Sequence, residues 1–247
     1  MVIWTINAGS HMKILGIEWS SSQRTLALGE WSPDDGMRVL AMATLPEGRD
    51  SRYFQSFQNI ARETGVAKSE IKAVVVGLGP GSYAGIRSAI SVAYAWHLAN
   101  DAKLIGLSSA RVMARRAFEQ TGQTSLQTLI DAQRGECYYS QFLRTPDGAT
   151  RELEPLAIMG PEQLASITQT RSCFVGDDVR RWFSEETFDQ VEGHDIVPDA
   201  GSLLMEASDL IVQSGQEKLE PIYLRPTSFV KAPPSRIPLS AEELEKL

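Results

Sequence analysis

The residues best placed to do chemistry lie in one loop, Gly77-Leu78-Gly79-Pro80-Gly81-Ser82-Tyr83-Ala84-Gly85-Ile86-Arg87. Its glycines let the backbone turn sharply and present N–H groups at the start of a helix, which makes a natural anion site. Gly79, Gly81 and Ser82 are therefore candidate contacts for a phosphate or a nucleotide. Two stricter readings fail on context. A P-loop carries a lysine after its last glycine, and Ile86 follows Gly85 here. Gly79-x-Gly81-x-x-Ala84 formally meets the dinucleotide fingerprint, but Leu107-Ser108-Ser109 lacks the acid due at the end of the next strand. A tight turn that simply needs glycine stays open beside the anion reading.

Other reactive residues are sparse. Cys137 and Cys173 are too few for a disulfide framework and form no Cys-x-x-Cys pair. His11, His97 and His194 show no metal-ligand spacing, so no metal is expected. Both cysteines read as small buried hydrophobes, and the chain as a protein of a reducing compartment. No nucleophile and base stand in a recognisable pair.

At 247 residues, 43% hydrophobic and 22% charged, the chain can bury a core as one large domain or as two lobes. A formal charge of −7, with no basic cluster of five or more, argues against a direct grip on RNA. A complex in which another subunit supplies positive surface remains compatible. No run approaches the roughly 18 apolar residues of a membrane helix, so a soluble, cytoplasmic protein without membrane contact is expected. Residues 1–11, ending in Gly9-Ser10-His11, read as a cloning scar ahead of a start at Met12 and lack the basic flank of a secretory signal.

The elements that must position the loop follow from patterning. Lys13–Glu18 is a short apolar strand. Arg24–Trp31 and Met37–Leu45 are two more, joined by the turn-forming Ser32-Pro33-Asp34-Asp35-Gly36. Ser51–Thr64 reads as a helix with Tyr53, Phe54, Phe57, Ile60 and Ala61 on one face and Gly65 as its stop. Ile71–Leu78 is rich in β-branched residues and reads as a central strand. The glycine loop follows, then a helix over Ser82–Ala99 that is apolar or small on most faces, then a strand at Lys103–Leu107. Strand–helix–strand order implies a right-handed crossover.

The second half predicts a helix near Ser108–Gln120 and strands at Leu126–Asp131, Glu136–Leu143 and Leu153–Met159. A helix from Pro161, a strand at Cys173–Gly176, a helix near Val179–Phe183 and a helix over Ala200–Gln213 complete it. The tail from Pro226 is proline-rich and ends in Ser240-x-x-Glu243, a capping box for a short terminal helix.

The loop sequence resembles Gly-x-Gly-Pro-Gly-Ser-[Phe/Tyr]-Thr-Gly-[Leu/Val]-Arg-x-Gly, the signature of the TsaB (YeaZ) family. Further segments agree in order: Ile14–Ser20, Ile105–Ser109, Leu129–Tyr138 and Pro221-Ile222-Tyr223-Leu224-Arg225. The likeness spans about Met12–Arg225.

It implies an α/β protein of the two-lobed sugar kinase/Hsp70/actin fold, each lobe a mixed sheet flanked by helices. The lobes would cover 12–107 and 108–225, with the helix at 200–213 returning toward their junction. It also implies a role: the partner subunit of the machinery that makes N6-threonylcarbamoyladenosine at position 37 of tRNA. Such a subunit docks on a catalytic TsaD-like transferase, is joined by a TsaE-like ATPase, forms a homodimer when alone, and meets tRNA only through the complex. Docking in the family uses the first two helices, which here assigns Tyr53, Phe57, Ile60, Arg87, Ile90 and Tyr94 to the partner interface.

Active members of the superfold bind phosphate at acid-led turns after the first strand of each lobe. The first turn here is Glu18-Trp19-Ser20-Ser21, where Trp19 is expected to fill the space a phosphate needs. The second keeps Asp131, with Arg134 expected to engage it. No His-x-x-x-His pair is present. The resemblance therefore implies a non-catalytic subunit with no cofactor and at most weak ATP or ADP binding. The alternative is a divergent ATPase or phosphotransferase in which Glu18 and Asp131 together hold Mg²⁺. A peptidase has neither a zinc-ligand set nor a triad to support it. Ala84 for the family's threonine and Ala89 for its glycine mark this chain as divergent.

Overall fold

A computed structural model describes residues 11–46, 52–168, 171–213 and 218–225. The expected scar over residues 1–10 and the tail from Pro226 lie outside the described residues. The first sheet holds β1 (Met12–Glu18), β2 (Thr25–Ser32), β3 (Gly36–Thr44), β4 (Ile71–Gly77) and β5 (Lys103–Leu107) in the order β3-β2-β1-β4-β5. β1 pairs antiparallel with β2 and parallel with β4. The β-branched run is thus an interior strand, and the middle of the sheet is β1.

Two helices cover one face of this sheet, α1 (Tyr53–Thr64) and α2 (Tyr83–Asn100). On α1, Tyr53, Phe57 and Ile60 recur at helical spacing and are buried against Trp19, Leu28, Val74 and Ile90. Each such burial contributes roughly 2 kcal/mol. Gly65 ends α1 in the left-handed conformation (φ 70°), as its glycine suggested. Trp96 on α2 donates to the Tyr53 hydroxyl at 2.6 Å and its ring lies 5.0 Å from that of Phe57, which fixes the helices side by side.

α3 (Ser109–Thr121) leads into the second sheet. β6 (Ser125–Asp131), β7 (Cys137–Arg144) and β8 (Thr150–Met159) come first, then α4 (Pro161–Ile167) and β9 (Cys173–Gly176). After β9 come α5 (Glu185–Phe188), β10 (Glu192–Asp195), α6 (Ala200–Glu206) and α7 (Leu210–Gln213). The order β10-β9-β6-β7-β8 repeats the first sheet's topology, an antiparallel meander with parallel strands added on the far side.

Three details differ from the sequence reading. The helix expected over 200–213 is broken into α6 and α7, and Val179–Trp182 is a 3₁₀ turn. β10, Glu-Gly-His-Asp, carries no apolar residue and escapes pattern reading. As an edge strand its only strand partner is β9.

The opposite face of the first sheet is covered from the far end of the chain. Ile14, Ala27, Val75 and Ile105 pack against Leu203, Leu204, Ala207 and Ile211. A β-carbon on Gly16 would lie 2.9 Å from Leu204 Cγ and 3.0 Å from the Ala200 carbonyl oxygen, which shows how closely α6 approaches β1. Its buried Glu206 pairs with Arg111 and accepts from Thr150 Oγ1 at 2.9 Å, so α6 ties both lobes together.

Candidate functional site

The glycine loop leaves β4 and enters α2 at the junction of the lobes. Its shape is set by close approach to the turn after β1. β-Carbons on Gly81 and Gly85 would collide with the carbonyl oxygens of Ser20 and Trp19, and one on Gly77 with the Glu18 carboxylate. Gly79 and Gly81 also adopt φ of +90° and +144°, where side chains are disfavoured. Ser82 N donates to Ser20 O at 2.6 Å, and Ser82 Oγ caps α2 by accepting from Gly85 N at 3.2 Å. The tight-turn reading thus explains all of the loop's glycines at 77, 79, 81 and 85.

Beneath the loop lies a buried polar hub. Glu18, fully buried at the end of β1, accepts from Ser20 N and from Ser109 Oγ, each at 2.9 Å. Ser109 Oγ in turn accepts from Gly79 N at 3.1 Å. Burial pushes the Glu18 carboxyl above its usual range, against the opposing hydrogen bonds from Ser20 and Ser109. The hub joins β1, the glycine loop and α3.

Between the lobes opens a cleft of about 620 Å³. Ser20, Ser21, Ser22, Arg24, Pro80, Gly81, Ser82 and Tyr83 form its first-lobe wall. Asp131, Ala132, Gln133, Tyr138 and Asp177 form the facing wall. Two expectations about it need correction. Trp19 does not obstruct the cleft; its ring turns into the first lobe's core, 2% exposed, edge-on to Tyr53 at 5.6 Å. Asp131 is engaged by Arg181 at 3.0 Å rather than by Arg134, which sits exposed in a left-handed turn (φ 60°). Asp131 also accepts from Gln133 N at 2.7 Å. Sequence distance hid Arg181, because its turn arrives from the end of β9.

The residues expected to meet a partner divide sharply. Tyr53, Phe57, Ile60 and Ile90 are buried inside the first lobe, so their side chains face the sheet and not a docking surface. Burial pushes the Tyr53 hydroxyl up to about 12. Tyr94 is half-buried and accepts from Leu219 N at 3.1 Å, holding the segment 218–225 along α2. Arg87 remains exposed, its guanidinium 3.9 Å from the centroid of Tyr83. Tyr83 stacks on Tyr223 at 5.6 Å, a contact that the sequence did not reveal although Pro221–Arg225 had been matched to a family segment. Ile222 N donates to Leu78 O at 2.9 Å and Arg225 pairs with Glu136, so this strap crosses from loop to second lobe. The exposed surface of the two helices is polar on α1, where Gln55, Gln58, Asn59, Arg62 and Glu63 surround Phe54 (70%), and on α2 it carries Leu98 (85%), Tyr83, Arg87 and the small residues Ala84, Ser88, Ser91 and Ala95.

Comparisons with known proteins agree with this architecture. The family model described as TsaD, tRNA N6-adenosine threonylcarbamoyltransferase, matches residues 51–158, from α1 to the end of β8. The tRNA threonylcarbamoyladenosine biosynthesis protein TsaB of Escherichia coli is 28% identical over 87% of this chain and 95% of its own length. Its Haemophilus influenzae namesake is 26% identical over 92% and 99%. The solved structure of YeaZ from Pseudomonas aeruginosa superposes with a TM-score of 0.72 at 23% identity, over 86% of this chain and all of that one. It shares the two-lobed sugar kinase/Hsp70/actin fold. Near-complete alignment to the curated relatives, the shared fold and a glycine loop dictated by the β1 turn lead to one conclusion: the chain is similar to the TsaB (YeaZ) family along nearly its whole length.

Proposed function

We propose that this chain works in the biosynthesis of tRNA threonylcarbamoyladenosine, as a non-catalytic partner subunit that docks on a TsaD-like transferase through the outer face of α1 and α2. The curated relatives that align over nearly their whole length carry that pathway in their names. One structural observation carries the docking face. α2 leaves Ala84, Ser88, Ser91 and Ala95 exposed as a shallow track, with Tyr83 and Arg87 at one end and Leu98 at the other. Small side chains let another helix approach closely, and large exposed apolar groups such as Leu98 and Phe54 supply area to bury. The same face serves a homodimer when the transferase is absent. A TsaE-like ATPase joins the assembly, and tRNA is met through the complex, in keeping with a net charge of −7.

The non-catalytic part rests on Glu18. For an ATPase or phosphotransferase, Glu18 and Asp131 would have to share Mg²⁺. Glu18 is fully buried, both its oxygens are engaged by Ser20 and Ser109, and burial favours its neutral form. Any ATP or ADP in the cleft would meet Ser20–Ser22, Ser82 and an Asp131 already paired with Arg181, which supports weak binding at most.

The test is co-purification with the TsaD-like transferase of the source organism. Ser91→Arg and Leu98→Asp alter exposed positions; each is expected to abolish co-purification while leaving the urea midpoint of the isolated chain unchanged. Phe57→Asp is the contrasting core variant and is expected to unfold the first lobe. Retained binding by both surface variants would refute this docking face. Failure of the wild type to recover the transferase would refute the partner role itself.

A further inference from the structure

A second constellation lies at the opposite edge of the second lobe, away from the cleft. Cys173 opens β9 and is the register partner of Glu192 on the parallel edge strand β10. His194 follows two residues along β10, and strand alternation returns it to the same face as Glu192. The three side chains converge. One ligand atom from each lies within 4.8 Å of the others, and His194 Nε2 sits 2.7 Å from Glu192 Oε1. None of this shows in the linear spacing, since the thiol is nineteen or more positions from the other two and only strand pairing unites them.

We infer that Cys173, Glu192 and His194 form a binding site for a zinc-class divalent cation, with a fourth position open to solvent. The donors are one sulfur, one imidazole nitrogen and one carboxylate oxygen, the mixture that Zn²⁺ accepts and that Mg²⁺ and Ca²⁺ do not favour. Thiolate and carboxylate together balance the ion's two charges, so it can be held next to an apolar core. Tetrahedral coordination needs donor atoms about 3.5 Å apart. The three donor atoms lie within 4.8 Å of one another, little more than about an ångström beyond that spacing.

The surroundings favour such a site. Cys173 is buried in one apolar cluster with Met113, Ala117 and Phe118 of α3. Gln123, just beyond the end of α3, donates to Glu192 Oε2 at 2.7 Å and leaves Oε1 for the ion. That is how a neighbouring hydrogen bond orients a metal-binding carboxylate. Glu192 and His194 side chains are 44% and 33% exposed, so an ion can enter from the sheet edge.

Co²⁺ titration of the full chain under reducing conditions tests the site, because a cobalt–thiolate bond gives a charge-transfer band in the near ultraviolet. One equivalent of Co²⁺ should produce the band, and one equivalent of Zn²⁺ should bleach it. Cys173→Ser should remove it, whereas Cys137→Ser should keep it. Gln123→Ala should weaken affinity about 10-fold, and His194→Gln by more. Glu192 and His194 lie on the exposed edge, so their variants remain informative even if Cys173→Ser folds poorly. Absence of a stoichiometric band, its survival in Cys173→Ser, or unchanged affinity in both His194→Gln and Glu192→Gln would overturn the inference.

Discussion

The two lobes repeat one topology yet end their first strands in opposite ways. β1 ends at Glu18, fully buried and roofed by the glycine loop; β6 ends at Asp131, partly exposed and paired with Arg181 across the surface. The turns beside them contrast in the same manner. Gly77, Gly81 and Gly85 are hemmed in by the β1 strand and its following turn, while a β-carbon on Gly135 would meet nothing within 4 Å. Glycine therefore serves two purposes in one chain. In the first lobe it makes room for another backbone; in the second it only permits a positive φ of 76°. The first lobe's turn is packed against the glycine loop, and the second lobe's turn is free of such packing.

Substitutions that probe this contrast should differ in size. Gly81→Ala suffers both a collision with Ser20 O and a strained φ, and should cost about 4 kcal/mol in urea unfolding. Gly135→Ala suffers only the second and should cost about 1 kcal/mol. Equal costs would dissolve the distinction between the turns.

The acids come next. Because burial raises the folded-state pKa of Glu18, the folded protein holds this proton after the unfolded chain has lost it. Its contribution is whole below the model-peptide value of 4.5 and is lost as pH rises toward the folded value. Glu18→Gln mimics the neutral form and keeps an acceptor for Ser20 N. Its stability relative to wild type should therefore increase with pH above 4.5, followed as urea midpoints across that range. Parallel curves would show that the carboxyl is not held neutral. The smallest effect belongs to Arg181→Ala, which breaks a pair whose side chains are 41% and 36% exposed. It should cost less than about 1 kcal/mol and should do so less at high salt.

The order of elements was largely legible because its signals are local. Gly65 stopped α1 as its position foretold, and α2 begins at Tyr83, within one residue of the expected start. What escaped were relations across distance. The apolar stripe of α1 was read as Tyr53, Phe54, Phe57, Ile60 and Ala61, but periodicity names a face without saying which way it points; the sheet claims Tyr53, Phe57 and Ile60 and leaves Phe54, expected on that face, outside. Arg181 reaches Asp131 from fifty residues away, and Arg134, the neighbour in sequence, turns aside into solvent. β10 lacks any apolar residue, so only its pairing with Cys173–Gly176 reveals it.

The return of α6 and α7 to the first sheet has a consequence for how the protein is made. All five strands of that sheet have been synthesised by Leu107, but Ile14, Ala27, Val75 and Ile105 gain their covering only when Leu203, Leu204 and Ile211 arrive. During translation, a finished sheet would present one bare apolar face for the time needed to add about another hundred residues, roughly 5–20 seconds at ordinary elongation rates. The half of the molecule that leaves the ribosome first is thus the half that must be completed last, and a nascent chain stalled after the first lobe would be a natural client for chaperones.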